Sequence, residues 1–538
     1  MGEATTFINS RIHSLEREGE CFTAMEVGWD GRIARLFTEG ENRPRATREI
    51  DLGGKTVVPA FIDAHTHFIS KVGLAALGVP LSRLEGNALA PDSLDGVREL
   101  LVRRAEERGP GLVMGFGLCT GAVAERRLPR ASELDSWLPG RSVAIISLDG
   151  HSSSYSSRAL AELGLASVAE DGLLHGEAHE FNMGKVTAWA MRSLSLGSIL
   201  RGLSEAVAES LAGGLSTVHC LEGTDDSVVD QAVRIMAVAG PRLPLRLRLW
   251  LQYTELSRVE RHAKLLARKR VGGCLAWEMD GSISSRSAAM DEPYLDRPHA
   301  GRLYRSPEEA YDLVAPFCEA GWQTTAHAIG PRGIESILSA YERVLGKAGD
   351  VANGRRLRID HFEFPRPDQI ERAGRRRMVL AVQPGFAWLD ERLVHSYDEA
   401  LSPAVKMAQC PLRDLIDAGC VVALSTDAPV QPLNPFIQIA GAVGHPNTAQ
   451  AISVYEALRA YSWAGAYSAF EEDERGSLAV GKFADFAVLD GDPFQTAPSD
   501  LVTIRVVGTW IEGKRIDAPP PGAAAFAAKL LTSTARKL

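Results

Sequence analysis

Eight short apolar runs, separated by stretches with helical spacing, constrain this chain more than any other feature. The runs are VVPAFIDAH, LSTVHCLE, PLRLRLWL, GCLAWEMDG, WQTTAHAIG, RLRIDHFEF, MVLAVQPGF and CVVALSTDA. Patterns such as ILRGLSEAVAESLAGG and SPEEAYDLVAPFCEAGW intervene. Strand–helix alternation implies a parallel sheet, because parallel neighbours need a crossover long enough for a helix. Eight such units predict closure into a (β/α)8 barrel, an α/β fold of roughly 250 residues before insertions. The gap from Phe68 to Gly213 is too long for one crossover. A helical insertion at about 68–213, near the barrel mouth, is expected there.

The flanks read differently. Residues 1–57 and the segments GSLAVGKFADFAVLDGDPF and VTIRVVGTWIEGKRI are short strands and turns. They predict one small β-sandwich built from residues 1–57 and 477–538, with the barrel over 58–476. A length of 538 residues accommodates both. The Pro/Ala-rich APPPGAAAFAAKLL packs loosely or forms a terminal helix.

Composition excludes several classes. A 45% hydrophobic and 24% charged chain is globular, and a formal charge of −9 disfavours nucleic-acid or anionic-membrane partners. No run of about 18 apolar residues predicts a membrane span, and the acidic amino terminus does not read as a signal peptide. Seven scattered cysteines, odd in number and without CxxC, predict reduced thiols and a cytoplasmic location.

Polar residues fall where a barrel would use them. His65, His67, Glu278, His327, His361 and Asp427 lie at or near the carboxy-terminal ends of expected strands, which all open at one mouth. In His65-Thr66-His67 the two imidazoles are two residues apart, so a strand presents both on one face. An HxH pair alone is weak, a lone histidine is more often a core residue, and Asp427 in STDAP could be a helix N-cap. Their conjunction at one mouth predicts a divalent metal site. Imidazole and carboxylate donors suit zinc first, then manganese, iron or nickel, as one ion or two.

These residues also carry a resemblance. VVPAFIDAHTHF is similar to the amidohydrolase superfamily signature, and TTAHAIGPRGIE, RIDHFEF, AVQPGF and LSTDAPV resemble later strands of its family 3 branch, which includes N-substituted formamide deformylase. LPRASELDSWLPGRSVAIISLDGHSSSYSSRAL, MDGSISSRSAAMDEPY and GSLAVGKFADFAVLDGDPF resemble that branch's insertion, fourth-strand loop and terminal hairpin. The match runs from about Val57 to Arg515. It implies that Asp427 ligates the metal and takes the proton of the attacking water, that His361 or the metal polarises the carbonyl, and that His151 faces the site. The implied reaction is hydrolysis of a C–N bond in a small-molecule amide, formamide or cyclic amide.

One departure is clear. The branch usually has a lysine four residues before its DGS motif, where its carbamate bridges two metals; here Ala276 stands there. Ala276 and Glu278 would face the same side of a regular strand, with Glu278 one rung nearer the mouth, so Glu278 is expected to supply the missing carboxylate. Three substrate contacts are expected: His151, Arg286 as a carboxylate clamp or loop-fixing residue, and Trp388 with Phe386 as an aromatic wall. Glu177 and His179 are weak candidates for a second metal pair. The alternatives are a mononuclear deaminase, a lyase, or a binding homologue without catalysis; a deaminase's acid after strand five is not evident, since Glu335 is eight residues beyond His327. A homodimer is left open.

Overall fold

The computed structural model describes residues 4–42, 48–85, 88–109, 111–148, 150–223, 230–349, 353–391, 395–520 and 522–538. Each of the eight apolar runs contributes one strand of a parallel sheet: β1 (Phe61–Thr66), β2 (Leu215–Glu222), β3 (Arg246–Leu251), β4 (Arg270–Glu278), β5 (Gln323–Ala328), β6 (Arg358–His361), β7 (Val379–Val382) and β8 (Val421–Leu424). They pair in sequence order. Between the outer two, the Asp427 N–H donates to the His65 carbonyl at 3.0 Å and the His67 N–H to the Ala428 carbonyl at 2.7 Å. The barrel is therefore laced together at the site itself.

Seven of these strands are buried at every residue. That is why they read as continuous apolar runs rather than as alternation: one face fills the barrel and the other meets the helices. The helix Pro331–Lys347 shows the complementary pattern, burying Ile334, Ile337, Leu338, Tyr341 and Leu345 at helical spacing. Pro307–Glu319 begins at Ser306, whose hydroxyl accepts from the Glu309 N–H while Glu309 reaches back, a reciprocal cap.

β4 is the exception. Gly273 pairs with Ala326, yet the next paired position is Glu278 opposite His327, so Cys274–Trp277 loop out of register. Leu275 and Ala276 are half-buried and Leu275 has φ 56°, a left-handed conformation that costs a non-glycine residue about 1–2 kcal/mol. The expectation that Ala276 and Glu278 share a face of a regular strand fails here. Glu278 sits directly above Gly273 in the ladder. Gly272, at φ 108°, is required, since a Cβ there would lie 2.0 Å from the Thr325 carbonyl oxygen.

A second sheet draws strands from both ends of the chain, in the order Lys514–Arg515, Val506–Ile511, Phe486–Leu489, Arg48–Pro59, Thr5–His13, Ala24–Val27, Ile33–Phe37. Phe7, Phe486 and Trp510 form its aromatic centre. Arg48–Pro59 runs into β1 with only Ala60 between. The insertion after β1 is richer than the helical unit expected. Its helices, among them Leu94–Arg108 and Gly176–Arg192, pack with a five-stranded sheet that includes Val113–Leu118, Val143–Ser147 and Ser152–Tyr155. The strand SSSY has no hydrophobic alternation to betray it. The tail forms a helix, Ala523–Thr532, burying Phe526 and Leu530. No helix among the described residues is long and apolar enough to cross a membrane.

Candidate metal centre

The strand ends deliver His65 from β1, Cys274 and Glu278 from β4, His327 from β5 and His361 from β6, with His67 just past β1 and Asp427 just past β8. Their ligand atoms fall into three groups, each within 4.8 Å: His65, His67 and Asp427; His65, Cys274 and His361; Cys274, Glu278 and His327. The His65–His361 and His327–His361 ring centroids are 5.0 and 4.4 Å apart. His361 and Asp427 have φ of 72° and 55°. Such strained backbone at two non-glycine residues, held by the surrounding fold, is common at functional sites.

Asp427 Oδ1 is buried and, among the described residues, has no hydrogen-bond donor; it lies 3.2 Å from His65 Nε2 and 3.5 Å from His67 Nε2. Two donors about 2.0–2.1 Å from a tetrahedral cation lie about 3.4 Å from each other. The spacing and the donor set fit a divalent ion. Burial works against a charged Asp427, but His65, His361 and His67 hold its carboxyl at about 2. Burial likewise opposes charge on His65, yet Asp427 and Asp360 on its two sides raise it well above the usual value. A cation bound here would replace that proton.

Neighbours orient the rings. Gln383 Nε2 donates to Ser425 Oγ and to the Ala381 carbonyl, which turns Oε1 toward His361 Nδ1 at 2.8 Å. His361 therefore donates through Nδ1 and keeps the lone pair on Nε2, and burial lowers it to about 4. Asp360 Oδ1 lies 3.4 Å from His65 Nδ1 and is paired in turn with the fully buried Arg358 at 2.9 Å. Cys274, Asp360 and Gln383 were all missed by sequence reasoning. Asp360 lies beside His361, and Cys274 and Gln383 lie within quoted apolar runs, but only the folded barrel aims them inward.

The mouth opens into a cavity of about 900 Å³. His361, Asp427 and His151 line it together with Phe116, Leu118, Phe386 and Leu389. His151 stands 5.6 Å from His327, ring to ring. The aromatic wall is Phe386 rather than Trp388, whose side chain is buried in the barrel's outer core. Arg286 lines the cavity too, but its guanidinium grips Asp296 through Nε and Nη2 and the Ile283 and Ser284 carbonyls through Nη1. Its geometry supports loop fixing rather than a free carboxylate clamp. Glu335 pairs with Arg372 and Arg366 outside the barrel, so it does not supply a deaminase's acid. His179 is buried and bonded to Ser153 at 2.8 Å in the insertion; the side chain of Glu177 lies outside the described residues. Asp280 of the DGS motif accepts from the Ala289, Ile329 and Gly330 N–H groups, tying the β4 loop to the β5 loop.

The chain matches the family described as Amidohydrolase family over residues 48–517. It is 30% identical to Protein LONG AFTER FAR-RED 3 of Arabidopsis thaliana, over 87% of this chain and 84% of that relative. It is 26% identical to the N-substituted formamide deformylase of Arthrobacter pascens, over 94% of this chain and 97% of the relative. Among solved structures, an uncharacterized metal-dependent hydrolase from Pyrococcus horikoshii OT3 superposes with a TM-score of 0.69 at 21% identity, over 92% of this chain and 99% of that one. That likeness is one of fold.

Proposed function

We propose, from the premise that this chain belongs to the amidohydrolase family, that it hydrolyses a C–N bond in an amide, formamide or cyclic amide of a small molecule, using a divalent metal, zinc first. The observation that carries this reading is the convergence of four imidazoles and the Asp427 carboxylate at one barrel mouth. The near full-length similarity to a formamide deformylase supports an amide-type bond.

His65, His67, His327, His361, Asp427 and Glu278 would hold the metal, as one ion or two. A cation so placed lowers the pKa of water toward ~7 and polarises a carbonyl. Asp427, ionised at neutral pH and facing the cavity, accepts the proton of the attacking water. As the water oxygen bonds to the carbonyl carbon and the C–N bond breaks, that proton passes to the leaving nitrogen. His151 approaches from the insertion, where it can donate to the oxygen that gains charge. Phe116, Leu118, Phe386 and Leu389 favour a substrate whose remainder is apolar or aromatic.

The test is elemental analysis of protein never exposed to chelator or affinity nickel, with amine release measured across a panel of N-substituted formamides and aryl amides. About one to two metal ions per chain and turnover of one of these classes are expected. Below about 0.2 metal per chain, with no activity gained on adding zinc, the reading fails.

A further inference from the structure

Cys274 belongs to two of the three groups of ligand atoms at the mouth: one with His65 and His361, the other with Glu278 and His327. Its Sγ lies 3.8 Å from His65 Nε2 and 3.9 Å from His327 Nδ1. A sulfur about 2.3 Å and an imidazole nitrogen about 2.0–2.1 Å from a shared tetrahedral cation stand about 3.6 Å apart. Both contacts are close to that spacing. Both are also long for a thiol that has one proton to share between two rings. His327 Nε2 faces the Gly281 carbonyl at 3.4 Å, so Nδ1 presents its lone pair toward the sulfur.

The backbone is arranged to hold this side chain inward. The Cys274 N–H donates to Gln252 Oε1 at 2.7 Å, and Gln252 is itself anchored to the Gly223 carbonyl. Immediately after Cys274 the bulge begins, and its first N–H, that of Leu275, donates to Glu278 Oε1 at 2.7 Å. The bulge thus takes Ala276 out of the strand pairing and brings Cys274 and Glu278 together. Two of the other buried cysteines lie among ordinary polar neighbours: Cys318 meets Thr324 Oγ1 and Cys220 meets the Val218 carbonyl.

We propose that Cys274, as a thiolate, is a ligand shared by two cations, one on the His65, His67, Asp427 side and one on the His327, His361, Glu278 side. It stands in for the absent lysine. The inference rests on the metal-dependent reading above and adds the identity of the bridge. When the metals bind, the S–H bond breaks, the proton leaves to solvent and the sulfur's electron pairs bond to the ions. One thiolate then supplies the single negative charge that a lysine carbamate would bring between two closely spaced cations.

The test is reconstitution of the metal-free full chain with cobalt(II) alone, read by near-ultraviolet absorption and by cobalt content. The wild type should show a sulfur-to-cobalt charge-transfer band and bind about two ions per chain. Cys274→Ser should lose the band and bind the second ion at least ~10-fold more weakly. Cys274→Asp should regain the second ion without the band. Thermal unfolding and circular dichroism of the metal-free variants check the fold. Two bound ions with no sulfur band, or a band with a single ion, overturns the bridge while leaving the metal-dependent reading intact. Failure of the wild type to bind cobalt at all overturns both.

Discussion

At the residue scale, the site works by opposing burial with specific partners. Asp427 sits where burial alone would protonate it, and the adjoining imidazoles keep it ionised at about 2. A carboxylate so held could serve, on the reading proposed above, as ligand and proton acceptor across the neutral range. Asp427→Asn should keep the fold but, in metal-loaded protein, lower kcat by at least ~10²; near-normal turnover would show that another group takes the proton. Gln383 offers a milder probe, because it touches a site histidine without facing the cavity. Gln383→Leu removes the acceptor that fixes the His361 tautomer and should weaken metal binding by about 10–100-fold. Unchanged affinity in a metal titration would mean that His361 is not a ligand.

At the element scale, β4 and the helices that follow the strands show how local rules bend near the site. The bulge from Cys274 to Trp277 converts one strand end into a two-residue donor pair, and the glycines before it supply the backbone angles no other residue takes easily. Farther out, Pro331–Lys347 and Pro367–Arg375 are joined by Glu335, which accepts from both Arg372 and Arg366. Burial tends to raise Glu335, but Arg372, Ser339 and Gln369 lower it from the usual 4.5 to about 2. A carboxylate lowered on folding stabilises the native state above its unfolded value and loses that contribution as pH falls through its folded value. Wild type should therefore be more stable than Glu335→Gln at pH 7, by about 1 kcal/mol after solvent screening. The gap should close between about 4.5 and about 2. Denaturant midpoints across that range decide it; a gap that persists at the acid end would assign the effect to packing instead.

At the scale of the whole molecule, two seams hold the parts together. One is the lacing of β1 to the segment after β8, which places His65 and Asp427 side by side although they are far apart in the chain. A metal held there would tie the first strand to the last. The other joins the barrel to the terminal sheet: Arg246 of β3, 2% exposed in its side chain, pairs with Asp485 at 2.7 Å and with Glu512 at 2.7 Å. Asp485 also receives the Glu512 N–H and lies 3.6 Å from Arg475. Asp485→Ala would leave two buried guanidiniums short of charge and should cost about 3–5 kcal/mol. Chemical denaturation checks this, and a loss below about 1 kcal/mol would place the pair in the class of screened surface bridges.

The barrel and the histidine–aspartate set were legible in the sequence because each depends on local information. Continuous apolar runs mark strands buried on both faces, and a strand end in this fold has one place to point. That His65, His67, His327, His361 and Asp427 meet at one mouth follows from that. What the tertiary structure decided depends on contacts between residues distant in sequence. The β4 bulge replaces a regular pleat, so Cys274 and Glu278 meet His327 while Ala276 drops out of the pairing. Asp296 occupies Arg286, the outer core takes Trp388 and leaves Phe386 at the cavity, and Arg372 draws Glu335 outward. Composition and spacing carry no record of such pairings, since a side chain's partner is set by where the folded backbone brings another chain segment and not by its own neighbours.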